Sequence, residues 1–284
     1  MGVRIVTDSA CDLPAEIVQE YNISVIPLFI HIGEQSYLDG IDMKHDQFYE
    51  NLDKYPSHPK TAAPGPEVFS NYYRQAALES GDQVFAIHVA SSLSAVYRSA
   101  LVGAESAGVS VSVHDSMQVA LGAGLQVLAA AKAAANGASL QEIRTIAENL
   151  RERIHLFAAL DTMKFLQKSG RINFTMLGIG SLLHIKPLLK LYKGLVITEK
   201  VTTHIRAVLR LVQLAKNLGT IEHISVIHIQ ALDEAKRLYD RVSNLVPKNN
   251  APIFQSVTPV IGAHVGPKAV GLVCVTSEIN GLSH

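Results

Sequence analysis

VRIVTDSACDLPAEIVQE, residues 3–20, opens with an apolar run, Val3 to Thr7, that stops at the polar pair Asp8-Ser9 and gives way after Pro14 to helical spacing. Strand, polar turn and helix in that order make a βα unit. The pattern continues outward from it. Val25 to Ile32, Val84 to Val89 and Val109 to His114 read as further strands, with helical stretches at 66–80, 94–106 and 117–136. Strands that alternate with helices imply a mainly parallel sheet. Ser139 and Glu142 have the spacing of a capping box, which starts a helix running to about Ile154. The first domain is expected to end there, giving residues 1–155 and 156–284 as two α/β domains with a cleft at their junction.

The second half begins with a strand at Leu156 to Leu160, a helix through Phe165 and a turn at Ser169-Gly170-Arg171. A short helix near Met176 to Leu183 is expected next. Ile185 to Tyr192 and Leu195 to Thr198 then form a hairpin about Lys193-Gly194. A helix at 203–218, a strand at His223 to Ile229, a helix at 231–245 and strands at Phe254 to Thr258 and Val270 to Thr276 complete the reading.

Composition sets bounds on function. Lys plus Arg and Asp plus Glu both total 25 in 284 residues, so no global field draws in nucleic acid or an anionic membrane. With 48% hydrophobic and 18% charged residues the chain has material for a large core. Cys11 and Cys274 lack the clustering of a disulfide framework or thiolate zinc site, which fits a reducing, cytoplasmic compartment. Polar residues interrupt the N-terminal apolar run before it reaches the length of a secretory signal. The most apolar region, Val119 to Ala135, is broken by Gln126 and Lys132, so it reads as a buried helix and no stable membrane insertion is expected.

The glycine pairs Gly122/Gly124 and Gly178/Gly180 lack the third glycine and the preceding strand of a dinucleotide loop, and no GxxxxGK[ST], HExxH or GxSxG is present. What stands out is hydroxyl residues and sharp turns at strand ends, where open α/β sheets bind ligands. Thr7-Asp8-Ser9 reads first as a turn and helix cap, and the same Asp-Ser pair recurs at Asp115-Ser116. Thr61 sits ahead of Pro64 and Pro66, on a stiff loop entering a helix. Ser91, Ser92 and Ser94 follow a strand directly, so they read either as a plain cap or as an anion site at a helix start. His264 lies beside the turn at Gly266-Pro267, and Arg171 follows a glycine turn. Each has a bland alternative: a structural histidine and a surface arginine.

TDSACDLP, KTAAPGPEVF, SSLSAVYRSA, VHDSMQVALGAG, LQKSGRI, IKPLL and HVGPKAVG, in this order, span nearly the whole chain. Together they resemble the DegV family, bacterial fatty-acid-binding proteins that serve as the binding subunit of fatty acid kinase. The resemblance implies an N-terminal three-layer α/β sandwich with a mainly parallel sheet, a C-terminal α/β domain, and an acyl chain buried with its carboxylate at the domain junction. It implies no cofactor and no catalytic residue of the chain's own: the ligand is a long-chain fatty acid and the partner a fatty acid kinase catalytic subunit. By match to the motifs, Thr61, the serines Ser91, Ser92 and Ser94, with Ser91 first, and His264 are expected to hold the carboxylate. Arg171 is expected to face the partner or a phosphate. Ala62, Ala90 and Ala95-Val96 stand where the family often carries Ser, Ser and Gly-Thr, which thins the polar rim.

Two other functions are compatible with the same residues. One is a stand-alone serine-dependent acyl hydrolase or transferase with His264 as base, which needs an orienting third group that the sequence does not identify. The other is a sensor or scaffold whose lipid is structural.

Overall fold

The computed structural model describes residues 2–77, 81–171, 186–248 and 251–277. Its first sheet has four parallel strands, β1 (Val3–Asp8), β2 (Ser24–Ile26), β6 (Gln83–His88) and β7 (Ser110–Asp115), in the order β2-β1-β6-β7. Side chains alternate as the strand period requires. Ile5, Phe85 and Ile87 pack with α5 (Leu121–Ala135) and α6 (Leu140–Arg153), while Val6, Val84 and Ala86 pack with α3 (Pro66–Ala76) and α4 (Val96–Glu105). Helices on both faces make the expected three-layer sandwich. The capping box at Ser139 and Glu142 is present.

Several expectations on element boundaries need correction. The run Val25 to Ile32 is two strands, because Pro27 has no N–H to give a ladder: β2 stays in the parallel sheet, whereas β3 (Phe29–Ile32) joins an antiparallel sheet of order β4-β3-β5. Its partners β4 (Gln35–Leu38) and β5 (Lys60–Ala62), like the helix α2 (His45–Asn51), were not anticipated. The helix expected from 117 begins at Leu121, since Met117 and Ala120 take positive φ values of 50° and 53° that a helix excludes. The helix expected over 231–245 ends at Asp240 as α9 (Leu232–Asp240), followed by a single 3-10 turn at Ser243–Leu245. The helix expected near Met176 to Leu183 lies outside the described residues.

The second large sheet has the order β10-β9-β8-β13-β11-β12, and all its pairs are antiparallel except β11–β12. Its strands are β8 (Ile154–Ala159), β9 (Lys186–Tyr192), β10 (Leu195–Val201), β11 (Ile221–His228), β12 (Phe254–Ser256) and β13 (Val270–Thr276). One face carries α8 (His204–Lys216) and α9, with Phe157, Leu188 and Leu272 meeting Ala207, Leu211 and Leu238. The other face sends Leu156, Ala158 and Leu191 into the same apolar cluster as Val6 of β1, Phe69 of α3 and Leu121 of α5. Two short helices lie between the sheets, α7 (Lys164–Ser169) and α10 (Pro259–Val265). No helix among the described residues is long and apolar enough to cross a membrane.

Candidate functional site

In the parallel sheet the strand order reverses direction between β1 and β6, and a crevice opens beyond the carboxyl ends of strands at such a switch point. Asp8 ends β1 and His88 ends β6. Both are fully buried, and Asp8 Oδ2 lies 2.9 Å from His88 Nδ1 while also accepting the Val89 N–H at 3.0 Å. Asp8 Oδ1 takes the Ala10 N–H, so the expected cap is real, and Tyr73 Oη lies 3.0 Å from His88 Nε2. This network is a rigid support for what lies beside it.

Beside it is a cavity of about 140 Å³ lined by Ala10, Val89, Leu156, Leu189, Val196 and Ile261, among others, with four polar side chains on its wall: Thr61, Ser94, Arg171 and His264. A narrower chamber of about 70 Å³ shares Val119, Leu156, Leu189, Ile261 and Val265 with it and extends to Ile227, Ile229, Ala269 and Val270. The walls come from β8 and β9 of the second sheet, from the turns that follow β1 and β6, and from α10. The larger chamber holds four polar side chains, and the narrower one is apolar but for the His228 ring.

Thr61, on β5, and His264, near the end of α10, meet there: His264 Nε2 is 2.8 Å from Thr61 Oγ1. Burial first, then the charge of Arg171 and the neighbouring His58, push the His264 pKa down to about 3, so the imidazole is neutral. Neutral imidazole and hydroxyl own one proton each. One proton lies between them, which leaves one donor free whichever tautomer is present. His264 Nδ1 is buried with no hydrogen-bond partner among the described residues.

The serine loop departs from expectation. Ser94 is on the cavity wall, and its Oγ accepts the Val96 N–H at 3.3 Å, so its own proton is free for a ligand. Ser91, the first choice from sequence, is exposed and absent from the wall, with its backbone N–H donated to Asp115 Oδ1. Ser92 donates to the Gly194 carbonyl at 2.7 Å. Leu93 and Ser94 donate their amides to the Ala90 carbonyl, and α4 begins only at Val96, so these amides are not left for an anion. A tight turn after β6 uses what a bare helix start would have left open. Arg171 is exposed at the rim, where its Nη1 donates to the Ser169 carbonyl at 2.6 Å.

Asp12 and Asp39, which sequence reasoning missed, and Gly266, which it read as a turn, hold these groups in place. Asp12 Oδ1 accepts the Thr258 N–H at 3.0 Å, just before α10. Asp39 is buried close to Ser9 and the backbone of Val260, although neither of its oxygens reaches full hydrogen-bond geometry, and burial pushes its pKa up to about 7. Gly266, at φ 79°, ends α10 against the Phe165 ring. The available signal was an acidic or aromatic residue in an otherwise apolar context, as in ACDLP and FYENL.

Known proteins share this arrangement. A DegV domain-containing protein of Streptomyces coelicolor is 34% identical over 275 residues, covering 95% of this chain and 97% of its own. Among solved structures, a DegV family protein from Thermus thermophilus, described by its fatty acid binding, superposes with a TM-score of 0.87 at 26% identity over 98% of this chain and all of its own. DegV from Bacillus subtilis, described as a fatty acid binding protein, gives 0.86 at 28% identity over 97% of this chain and all of its own. The parallel sandwich and the second sheet are thus the fold of a known group, whose sequence model, described as an uncharacterised protein of the DegV family, matches residues 2–277: this chain belongs to the DegV family.

Proposed function

We propose that the protein binds one long-chain fatty acid, with the tail in the joined chambers and the carboxylate at Thr61, Ser94 and His264, and presents that carboxyl group past Arg171 to a separate fatty acid kinase. The observation that carries the reading is the make-up of the site: an apolar space whose larger chamber gathers Thr61, Ser94, Arg171 and His264, while the narrower chamber is apolar but for the His228 ring. A tail needs apolar walls, and a carboxylate removed from bulk water needs donors. Two hydroxyls, a neutral imidazole and a guanidinium at the rim meet that need. The described fatty acid binding of the Thermus thermophilus and Bacillus subtilis proteins supports the same reading.

A serine-dependent acyl hydrolase or transferase with His264 as base is the weaker reading. An imidazole whose pKa is held at about 3 is a poor base, and its Nδ1 has no carboxylate to orient it among the described residues. The bound acid is therefore expected to leave chemically unchanged unless a partner supplies nucleotide chemistry. In this reading residues 1–155 and 156–284 are two domains of one carrier that works in the cytoplasm.

Native mass spectrometry of the purified protein tests the first part, with one added mass in the fatty-acid range expected. Absence of such a mass, together with no saturable binding of added stearate or oleate, would overturn it. Acyl-phosphate formation with the kinase and ATP tests the second part. Arg171→Ala should keep most of the affinity and lose turnover, whereas equal loss of both would place Arg171 in the carboxylate pocket.

A further inference from the structure

The helix that carries His264 is built from the second half of the chain but is held largely by the first. α10 has only seven residues and no side-chain cap of its own. A helix that short has little intrinsic stability, so its position is set by what it packs against. At its start the buried Tyr49 hydroxyl, from α2, aims its one proton at two carbonyls, Val257 O at 2.8 Å and Thr258 O at 3.1 Å. Asp12 takes the Thr258 N–H on the other side. One turn later, Gly262 lies flat against the Tyr49 ring, where any Cβ would overlap both ring and hydroxyl. Two residues on is His264, meeting Thr61 at 2.8 Å.

Burial and the nearby Asp12 and Asp39 raise the Tyr49 phenol well above its ordinary pKa, so it remains a donor at every working pH. Its ring fixes how closely α10 approaches α2, and its hydroxyl fixes where α10 begins along its axis. Those two settings determine where the imidazole arrives at β5.

We infer that Tyr49 is a positioning residue for His264: its own side chain lines neither chamber, yet it sets the helix so that the imidazole meets Thr61. This rests on the fatty-acid reading for its consequence, but not for its geometry. A shift of a fraction of an ångström in α10 is enough to lengthen the Thr61 contact and misdirect the free donor.

The test combines a double-mutant cycle with a spectroscopic readout. In delipidated full-length protein, displacement of a fluorescent fatty-acid analogue by stearate is measured for wild type, Tyr49→Phe, His264→Ala and the double variant. Tyr49→Phe keeps the ring and loses the hydroxyl, so affinity is expected to fall about threefold to tenfold. If Tyr49 acts through His264, the same substitution has no effect on the His264→Ala background. An equal loss on both backgrounds would overturn the inference, as would a Tyr49→Phe protein that does not fold, since Tyr49 would then be a determinant of the whole fold. Long-range ¹H–¹⁵N spectra of the ligand-free protein give a reading independent of lipid. The His264 ring signals should shift in Tyr49→Phe while those of His114 and His155 stay in place; unshifted His264 signals would overturn it. A wild type that binds no stearate would remove the fatty-acid reading and leave the spectra to decide the positioning.

Discussion

Ser92 Oγ donates to the carbonyl of Gly194 at 2.7 Å, joining the loop after β6 to the tip of the β9–β10 hairpin across 102 residues of sequence. The Gly194 N–H returns a bond to the Met117 carbonyl at 3.0 Å. The hairpin tip, with Lys193 and Gly194 both at positive φ, is thereby buttoned onto the parallel sandwich.

This separates two serines that look alike in sequence. Ser92→Ala should lower unfolding stability by about 1 kcal/mol, as one lost hydrogen bond does, with fatty-acid affinity unchanged. Ser94→Ala, which loses the Val96 N–H contact as well as a head-group donor, should lower affinity and stability together. Urea titration and displacement of a bound fatty-acid analogue, run on both variants, check the assignment; a binding defect in Ser92→Ala would return that residue to the head-group site.

Asp39 gives the fold a pH dependence of known sign. Its folded pKa of about 7 exceeds the unfolded value near 3.8, because burial penalises the carboxylate. Between those values the folded state keeps a proton that the unfolded state has lost, so this group's contribution is fully present at low pH and is lost as pH rises toward 7. His264 and His114, held down to about 3 and about 4, act in the opposite sense and cost stability as pH falls below 6.5. Asp39→Asn removes only the first effect. The variant's Tm relative to wild type should therefore rise between pH 5 and pH 8; a constant offset would show that Asp39 ionises normally.

Ala269, buried with Ile227 and Ile229, belongs to the end of the site that the narrow chamber alone lines. Ala269→Leu fills that end, so the fatty acids carried through purification should shift to shorter chains, read by mass spectrometry of the extracted lipid. An unaltered chain-length profile would mean that the tail does not reach this end.

Gly266 has φ 79° and ψ 175°, a conformation that glycine alone adopts readily, and a methyl there would overlap the Phe165 ring. Gly266→Ala should destabilise the protein by at least about 1 to 3 kcal/mol from backbone strain alone. It should also displace the end of α10, so affinity should fall together with stability. Chemical denaturation and a binding titration report the two losses.

Much of this architecture was legible because periodicity is a local property. Val3 to Thr7 and Val84 to Val89 became β1 and β6, and Ser139 with Glu142 capped α6. The misreadings have local causes too: Pro27 divides one apolar run between two sheets, and Met117 and Ala120 delay α5 through backbone angles that side-chain pattern does not report. The site was half legible. Thr61 and His264 lie together as candidates from separate motifs, but which serine faces the cavity depended on how the amides of Leu93 and Ser94 are used, a tertiary fact. Asp8 was readable as a cap from its neighbours, whereas its bond to His88 needed two strand ends brought side by side.

Thr61 and His264 are separated by 203 positions, and the bond between them forms only when β5 and α10 have both reached their places. A nascent or half-folded chain therefore has no head-group site, and under the fatty-acid reading it has no means of sequestering lipid. Ligand then favours the finished protein alone: at a free concentration one hundredfold above Kd it adds about 2.7 kcal/mol to the folded state. At constant synthesis, the amount of intact carrier in a cell would rise and fall with the supply of free fatty acid, making abundance itself a readout of lipid status.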